Sequence, residues 1–346
     1  MVRFIHMKPK SSAPPHASTQ TKKNPAERWL SYRPEIRVLD CTIRDGGLMN
    51  KHQFDDQVVK AVYDACVAGG VDYMEIGYRA SRKDIVVGEF GDWKYTREED
   101  IRRIVGDNPS KLKLSIMADA ERCDYKEDIP SKKDSVVDLV RVACYIHQVP
   151  IALDMIKDAQ DKGYETTVNL MAVTTVGDRE LDEALEMLTR SGAGAIYVVD
   201  SFGALYSEQV QRLVKQYLHH ARANGMEVGM HAHNNLQLAY SNTIEAIILG
   251  ANWLDGTMAG LGRGAGNCPM ELLLGFLHNP QYKLPPVLRC VDDVIEPMRK
   301  DLQWGFDLPY MLTGMFNQHP RAAIKYKAQA EKGDIGRFFD SVLGGE

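Results

Sequence analysis

His231-Ala232-His233 places two imidazoles two residues apart. On an extended chain, positions i and i+2 share a face, so both rings can aim at one point. Asp45, in Arg44-Asp45-Gly46-Gly47, would add a carboxylate from a distant segment. Two histidines and one carboxylate hold a divalent cation on one face and leave positions open for substrate or water. Asn267 ends a glycine-rich stretch, Gly260 to Asn267, that would let it approach such an ion as a further ligand. The same stretch could hold phosphate on backbone N–H groups, but it lacks the G-x-x-x-x-G-K pattern and a dinucleotide-binding context. Arg44, beside Asp45, can stabilise an enolate oxygen or close a salt bridge at a rim. Glu75 lies in an apolar run, where an ionised carboxylate is costly unless paired. It is expected to pair with Arg44 or to orient a metal ligand.

These residues are far apart in the chain, so a scaffold must gather them. From residue 36 the sequence alternates β-rich runs with helical patterns. The runs read as strands are Ile36 to Cys41, Tyr73 to Gly77, Leu112 to Met117, Leu139 to Tyr145, Thr166 to Val173, Ala195 to Val199, Glu227 to Ala232 and Trp253 to Thr257. Helical spacing is clearest over Asp55 to Ala68, Ile151 to Lys162, Leu181 to Ser191, Gln209 to Asn224 and Leu238 to Leu249. Gly or Asn follows these helices, as at Gly69-Gly70, Gly163, Gly192, Asn224-Gly225 and Gly250, which is a helix-stop signal. Eight strands with crossovers predict an α/β fold, a (β/α)8 TIM barrel, over residues 34–280. A doubly wound open sheet is the competing arrangement. In such barrels the active site lies at the C-terminal strand ends, where Asp45, Glu75, Ser201, His231, His233 and the 260–267 loop all fall. Arg141 and Asn169, on strands four and five, are expected to face the interior, as substrate contacts or as structural layers. Residues 119–135 are polar and predict only a short helix. A helical C-terminal extension over 281–346 is expected to pack on the barrel, with one helical pattern at 287–304 and a second within 305–330.

The chain has 346 residues and a formal charge of -5, which argues against a nucleic-acid partner. No apolar run reaches the roughly 18 residues of a membrane span. Residues 1–33 are polar, with little apolar periodicity, and predict a disordered arm. The first acidic residue is Glu27, which fits an organelle presequence; the tandem Pro14-Pro15 argues against one. The six cysteines form no C-x-x-C pair, so they offer neither a zinc ribbon nor a redox motif. A reducing cytoplasm is the expected location.

Taken together, Thr42-Ile43-Arg44-Asp45-Gly46-Gly47, Glu75, His231-Ala232-His233-Asn234 and the loop to Asn267 resemble the DRE-TIM metallolyase superfamily. The resemblance covers about residues 36–280, and within the superfamily it is greatest to the 4-hydroxy-2-oxovalerate aldolases. It implies a divalent metal, Mg2+ or Mn2+ before Zn2+ or Co2+, and a pyruvate-enolate mechanism. Small-molecule partners would be a 2-oxo acid and an aldehyde. By position it implies Asp45, His231 and His233 as metal ligands, Asn267 as a further one, Arg44 as the enolate's stabiliser and Ser201 near the substrate carboxylate. Related aldolases pair with an aldehyde dehydrogenase; no docking surface for one is legible, and a homo-oligomer is neither required nor excluded.

One departure matters. The resembled aldolases carry a histidine base shortly after the Arg-Asp pair, and Leu48 stands at that position. His52 aligns with a separate histidine. Tyr310 or a metal-bound water is therefore a candidate for proton transfer. Claisen-type condensation of an acyl-CoA with a 2-oxo acid is an alternative reaction, although the Glu-Gln pair usual in that branch is Gly47-Leu48 here. A catalytically impaired regulatory barrel is a third reading.

Overall fold

The computed structural model describes residues 33–83, 88–329 and 333–344. The expected N-terminal arm therefore lies, Arg33 apart, outside the described residues. Eight parallel strands close into a barrel in chain order: β1 (Arg37–Asp40), β2 (Tyr73–Tyr78), β3 (Lys113–Asp119), β4 (Leu139–Cys144), β5 (Glu165–Leu170), β6 (Ala195–Asp200), β7 (Glu227–Ala232) and β8 (Trp253–Gly256). β8 closes on β1 through Arg37 opposite Trp253 and Asp40 opposite Gly256. Every residue of β2, β4 and β6 is buried, because helices cover the outside and side chains fill the inside.

The crossovers begin with α1 (Thr42–Gly46), α2 (Asp56–Gly69), α3 (Glu98–Val105) and α4 (Tyr125–Asp128). They continue with α5 (Val149–Asp161), α6 (Asp178–Thr189), α7 (Ser207–Ala223), α8 (Ala239–Leu249) and α9 (Met270–Leu277). Gly70 and Gly250 cap α2 and α8 in the left-handed conformation, their N–H groups donating to the last-turn carbonyls. The third unit has only the short α4 and one 3-10 turn at Lys132–Asp134, as its polar sequence predicts.

Inward residues stack in layers. At the bottom Leu39, Tyr73, Leu139, Tyr197 and Trp253 pack together. Gly229 leaves room for the Tyr197 ring there: a Cβ at 229 would lie 2.6 Å from it. Above them Glu75, Arg141 and Asp255 form a charged layer, with the Arg141 guanidinium 4.4 Å over the Tyr197 ring. A β-bulge interrupts β2. Glu75 pairs with Ser115, but Gly77, not Ile76, pairs with Ile116. The extra residue turns Tyr78 inward, opposite Met117.

The C-terminal extension contains α10 (Leu284–Cys290), α11 (Leu308–Met315), α12 (Arg321–Lys327) and α13 (Ile335–Gly344). The single helical pattern expected at 287–304 is instead α10, one π turn at Val291–Ile295 and a 3-10 turn at Glu296–Lys300. Pro297 accounts for the break, since it has no N–H and its ring collides with the preceding turn. α10 packs on α2, where the Lys283 N–H donates to the Gly69 carbonyl at 2.8 Å. Phe338 and Val342 of α13, a helix that the sequence does not announce, pack with Tyr310, Leu312 and Ala323 of α11 and α12.

Candidate metal centre

α1 begins as soon as β1 ends, so its one turn lifts Arg44 and Asp45 to the barrel mouth. Thr42 fixes the turn: its hydroxyl donates to Asp40 at 2.6 Å and accepts the Met258 N–H at 2.8 Å. Across the mouth, Asp45 Oδ2 lies 3.3 Å from His231 Nε2 and 3.9 Å from His233 Nε2. The three ligand atoms all fall within 4.8 Å of one another, and all three residues are buried.

The donor set fits a divalent cation. Burial opposes ionisation of Asp45, but Arg44 and the two imidazoles outweigh it and hold the carboxyl well below the usual range. Burial pushes His233 down to about 3, which keeps it neutral, as a ligand must be. Burial also disfavours charge on His231, yet the Asp255 and Asp45 carboxylates raise it overall. His231 Nδ1 is 2.8 Å from Asp255 Oδ2, the carboxylate–histidine pairing that orients metal-binding imidazoles. Asn267 joins the group through a backbone bridge with His233. Its Oδ1 is buried and without a hydrogen-bond partner among the described residues. Gly262 permits the approach: a Cβ there would lie 2.2 Å from Asn267 Nδ2 and 3.1 Å from Asp45 Oδ1. Cys41, His231 and Asp255 also cluster, but Asp255 is already bound to His231 and Arg141, and burial drives the Cys41 thiol far above its usual range.

A chain of charges supports the centre. Arg44 donates from Nη1 to Asp45 at 2.5 Å and from Nε to Glu75 at 2.6 Å. Glu75 also accepts from Arg141 Nη1 at 3.1 Å, and Arg141 Nη2 donates to Asp255 at 2.6 Å. Glu75 thus pairs with Arg44 and couples it to the support of His231. Arg141 is fully buried in this layer and is not among the residues lining the mouth; of the two expected roles its placement favours the structural layer, because both its amino groups already serve carboxylates.

The mouth encloses about 70 Å3. Its lining joins Arg44, Asp45, His231 and His233 with Ser201 and Asn169. Arg44 Nη2 and Asn169 Oδ1 are buried and lack partners among the described residues. Ser201 Oγ accepts the Ala172 N–H at 2.9 Å, which leaves its own hydroxyl hydrogen available. Leu48 lines the mouth too. Tyr310 is not among the lining residues: it packs within the extension, with Lys327 Nζ 5.2 Å over its ring, a placement that does not favour it as the proton-transfer group. His52 lies beside the mouth rather than in it, edge-on to Tyr78 at 5.3 Å, and burial depresses it to about 3.

Four residues at or under the mouth were given no role from sequence. Asp255 could have been found by alternation, since it shares a face of β8 with the inward Trp253. Tyr78 is hidden by the bulge. Arg263, whose backbone N–H is 3.4 Å from Asp45 Oδ1 and whose side chain holds the Ser201 carbonyl at 2.7 Å, lies in a loop without periodicity. His319 reaches the lining from the turn between α11 and α12, edge-on to Phe202 at 5.6 Å.

Comparison with known proteins agrees with this geometry. The chain is 32% identical to the 4-hydroxy-2-oxovalerate aldolase of Pelotomaculum thermopropionicum over 274 residues, 77% of this chain and 78% of that one. It is 29% identical to the enzyme of the same name from Bacillus cereus over 332 residues, 92% and 94% of the two chains. Among solved structures, the N-terminal domain of an aldolase candidate from Bacteroides vulgatus superposes with a TM-score of 0.72 at 27% identity, covering 90% of this chain and 100% of that one. The HMG-CoA lyase of Bacillus subtilis shares the fold, at a TM-score of 0.65 and 18% identity, over 78% of this chain and 96% of that one. A family model described as HMGL-like matches residues 35–289, most of the chain and all eight strands, so the protein belongs to the HMGL-like family.

Proposed function

We propose that the protein is a divalent-metal-dependent aldolase, cleaving a 4-hydroxy-2-oxo acid to pyruvate and an aldehyde or running the reverse addition. The observation that carries this reading is the convergence of Asp45, His231 and His233 on one point of the mouth, beside a guanidinium whose buried Nη2 has no partner among the described residues. The naming of the curated relatives as aldolases supports it. Asp45, His231 and His233 would hold the ion, with Asn267 as a further ligand. A divalent ion there supplies Lewis-acid polarisation of the keto group. Hard substrate oxygens favour Mg2+ or Mn2+, while two imidazoles also admit Zn2+ or Co2+.

Arg44 then donates from Nη2 to the oxygen on which charge develops. Ser201 and Asn169 offer a hydroxyl and an amide to the substrate carboxylate. His319 Nδ1 accepts the Arg321 N–H at 3.2 Å, so in the neutral ring Nε2 carries the proton. Burial keeps this imidazole neutral, with its pKa lowered to about 4. His319 is therefore assigned to donate a hydrogen bond from Nε2 to the oxygen that is the 4-hydroxyl before cleavage and the aldehyde after it, and the hydroxyl proton would pass to a solvent water at the mouth, which returns it in the addition direction. Leu48 supplies no proton acceptor, and Tyr310 lies outside the lining.

Among the described residues no helix is long and apolar enough to cross a membrane. All six thiols are buried and unpaired, which suits a reducing cytoplasm. A homo-oligomer and an aldehyde dehydrogenase partner belong to the same proposal and have no surface assigned to them.

The test is exchange of the pyruvate methyl hydrogens with deuterium in the Mn2+-loaded protein, followed by cleavage of 4-hydroxy-2-oxo acids. Both activities should vanish with chelator and return with metal. Thiol release from an acyl-CoA plus a 2-oxo acid, without aldol cleavage, would overturn the reading in favour of a Claisen-type enzyme. Loss of neither activity on chelation would remove the metal from it.

A further inference from the structure

Beside the mouth lies a larger cleft of about 820 Å3, within the size range of small-molecule sites. It is built from the segments that come after β1, β2 and β3, at the same end of the barrel as the metal centre. Leu48 lines both spaces. Tyr78 forms part of the wall between them: it lines the mouth, and Lys94, which lines the cleft, holds its Nζ 4.2 Å over the Tyr78 ring.

The cleft is cationic. Its described lining carries five Lys or Arg side chains and two carboxylates. Lys83 is paired with Asp124, and Glu121 accepts the Gln148 amide at 2.8 Å. Lys51, Lys94, Arg122 and Lys126 have no ion-pair partner among the described residues. Lone surface lysines are ordinary, and three of these four are exposed. Lys94 is different, because it is partly buried. Burial holds its ammonium below the usual range; Asp119 acts against this, while Arg122 and Arg44 add to it. A partly desolvated ammonium crowded by other cations is relieved by an incoming anion.

Volume points the same way. The mouth's 70 Å3 corresponds to about five water-sized positions, enough for a small 2-oxo acid and the carbon that reacts with it. A longer aldehyde must extend elsewhere, and the Leu48 wall is the side on which a large space adjoins.

We propose that this cleft binds the anionic end of the aldehyde, a phosphate or a carboxylate, with Lys94 and Arg122 as its principal contacts and the carbonyl carbon at the metal centre. The aldehyde would then be an acid semialdehyde or a sugar-phosphate-like compound rather than a short neutral one. This inference rests on the aldolase reading.

The experiment uses the full chain with Mn2+ and pyruvate. Three aldehydes of matched length are compared: one ending in phosphate, one in carboxylate and one in a methyl group. At least one anionic aldehyde should exceed the neutral one tenfold in kcat/KM, chiefly through KM, and the better of the two identifies the anion. The advantage should shrink with added salt. Lys94→Met and Arg122→Ala should each cut the anionic-to-neutral ratio at least fivefold. A parent that exchanges pyruvate hydrogens yet uses the neutral aldehyde equally well overturns the cleft assignment and leaves the aldolase reading standing. A parent without exchange overturns the aldolase reading instead. Calorimetric titrations with inorganic phosphate and with a short monocarboxylate then decide the cleft by itself: binding of either one that is lost in Lys94→Met supports an anion site, and binding of neither to the parent, or binding unchanged in Lys94→Met, refutes it.

Discussion

Arg44 commits two nitrogens to carboxylates, and its Nη2 at the mouth has no partner among the described residues. A lysine in its place would keep the charge but could not bridge Asp45 and Glu75 while also donating to substrate. Arg44→Lys is therefore expected to lower kcat by about 10²-fold, with metal content unchanged by elemental analysis; turnover within threefold of the parent would discount the role. His233→Ala should instead abolish both metal binding and turnover, with the far-ultraviolet dichroism preserved. Asp255→Asn should weaken metal binding by about 10–100-fold, as measured by competition with a chelating dye. At this scale the sequence was informative where residue type is rare for its setting. Two histidines at strand spacing and an acid inside an apolar run point to a buried polar site. It was less informative for Arg141, because an inward strand residue can serve a buried layer of charge, as Arg141 does with Glu75 and Asp255, as readily as a ligand.

At the scale of elements, the eight strands were legible because each is a short apolar run followed by a helical pattern and a stop signal. The β2 bulge was not, since Tyr73 to Tyr78 reads as an unbroken strand and nothing in Ile76-Gly77 declares which residue is skipped. The extension was half legible. Its turns fall at Pro297 and Pro320 and have no period, so the sequence could not say that His319, rather than Tyr310, reaches the mouth. Its packing has two measurable consequences. Phe338→Ala removes a ring that packs on Tyr326 at 4.5 Å and should cost about 3 kcal/mol within the extension. Hydrogen exchange should then accelerate over 308–344 before it does in the barrel strands. His319→Leu should lower kcat/KM for the aldehyde about tenfold while pyruvate exchange continues; a parallel loss of both would mean that the turn holds the mouth's shape rather than donating to substrate.

For the whole molecule, burial makes acid a destabilising variable. His52 is 1% exposed and depressed to about 3, against about 6.5 in an unfolded chain. The unfolded state takes up a proton below pH 6.5 that the folded state refuses until about 3. Stability should therefore fall as the pH drops through that window, by up to about 1.4 kcal/mol per pH unit for each such imidazole. His52 also occupies a left-handed backbone position, with φ of 60°, which Asn tolerates better than most residues. His52→Asn should flatten the decline of Tm between pH 6.5 and 5; an unchanged slope would place the acid sensitivity elsewhere. The extra residue in β2 bears on how such a barrel can diversify. Below Glu75 the pairing with β3 is regular and independent of the residues nearer the mouth. Ironing out the bulge at constant chain length would bring Gly77 opposite Met117 in place of Tyr78 and leave the packed floor as it was. Appetite for new substrates and robustness of the scaffold would then be inherited separately, divided at a single peptide unit.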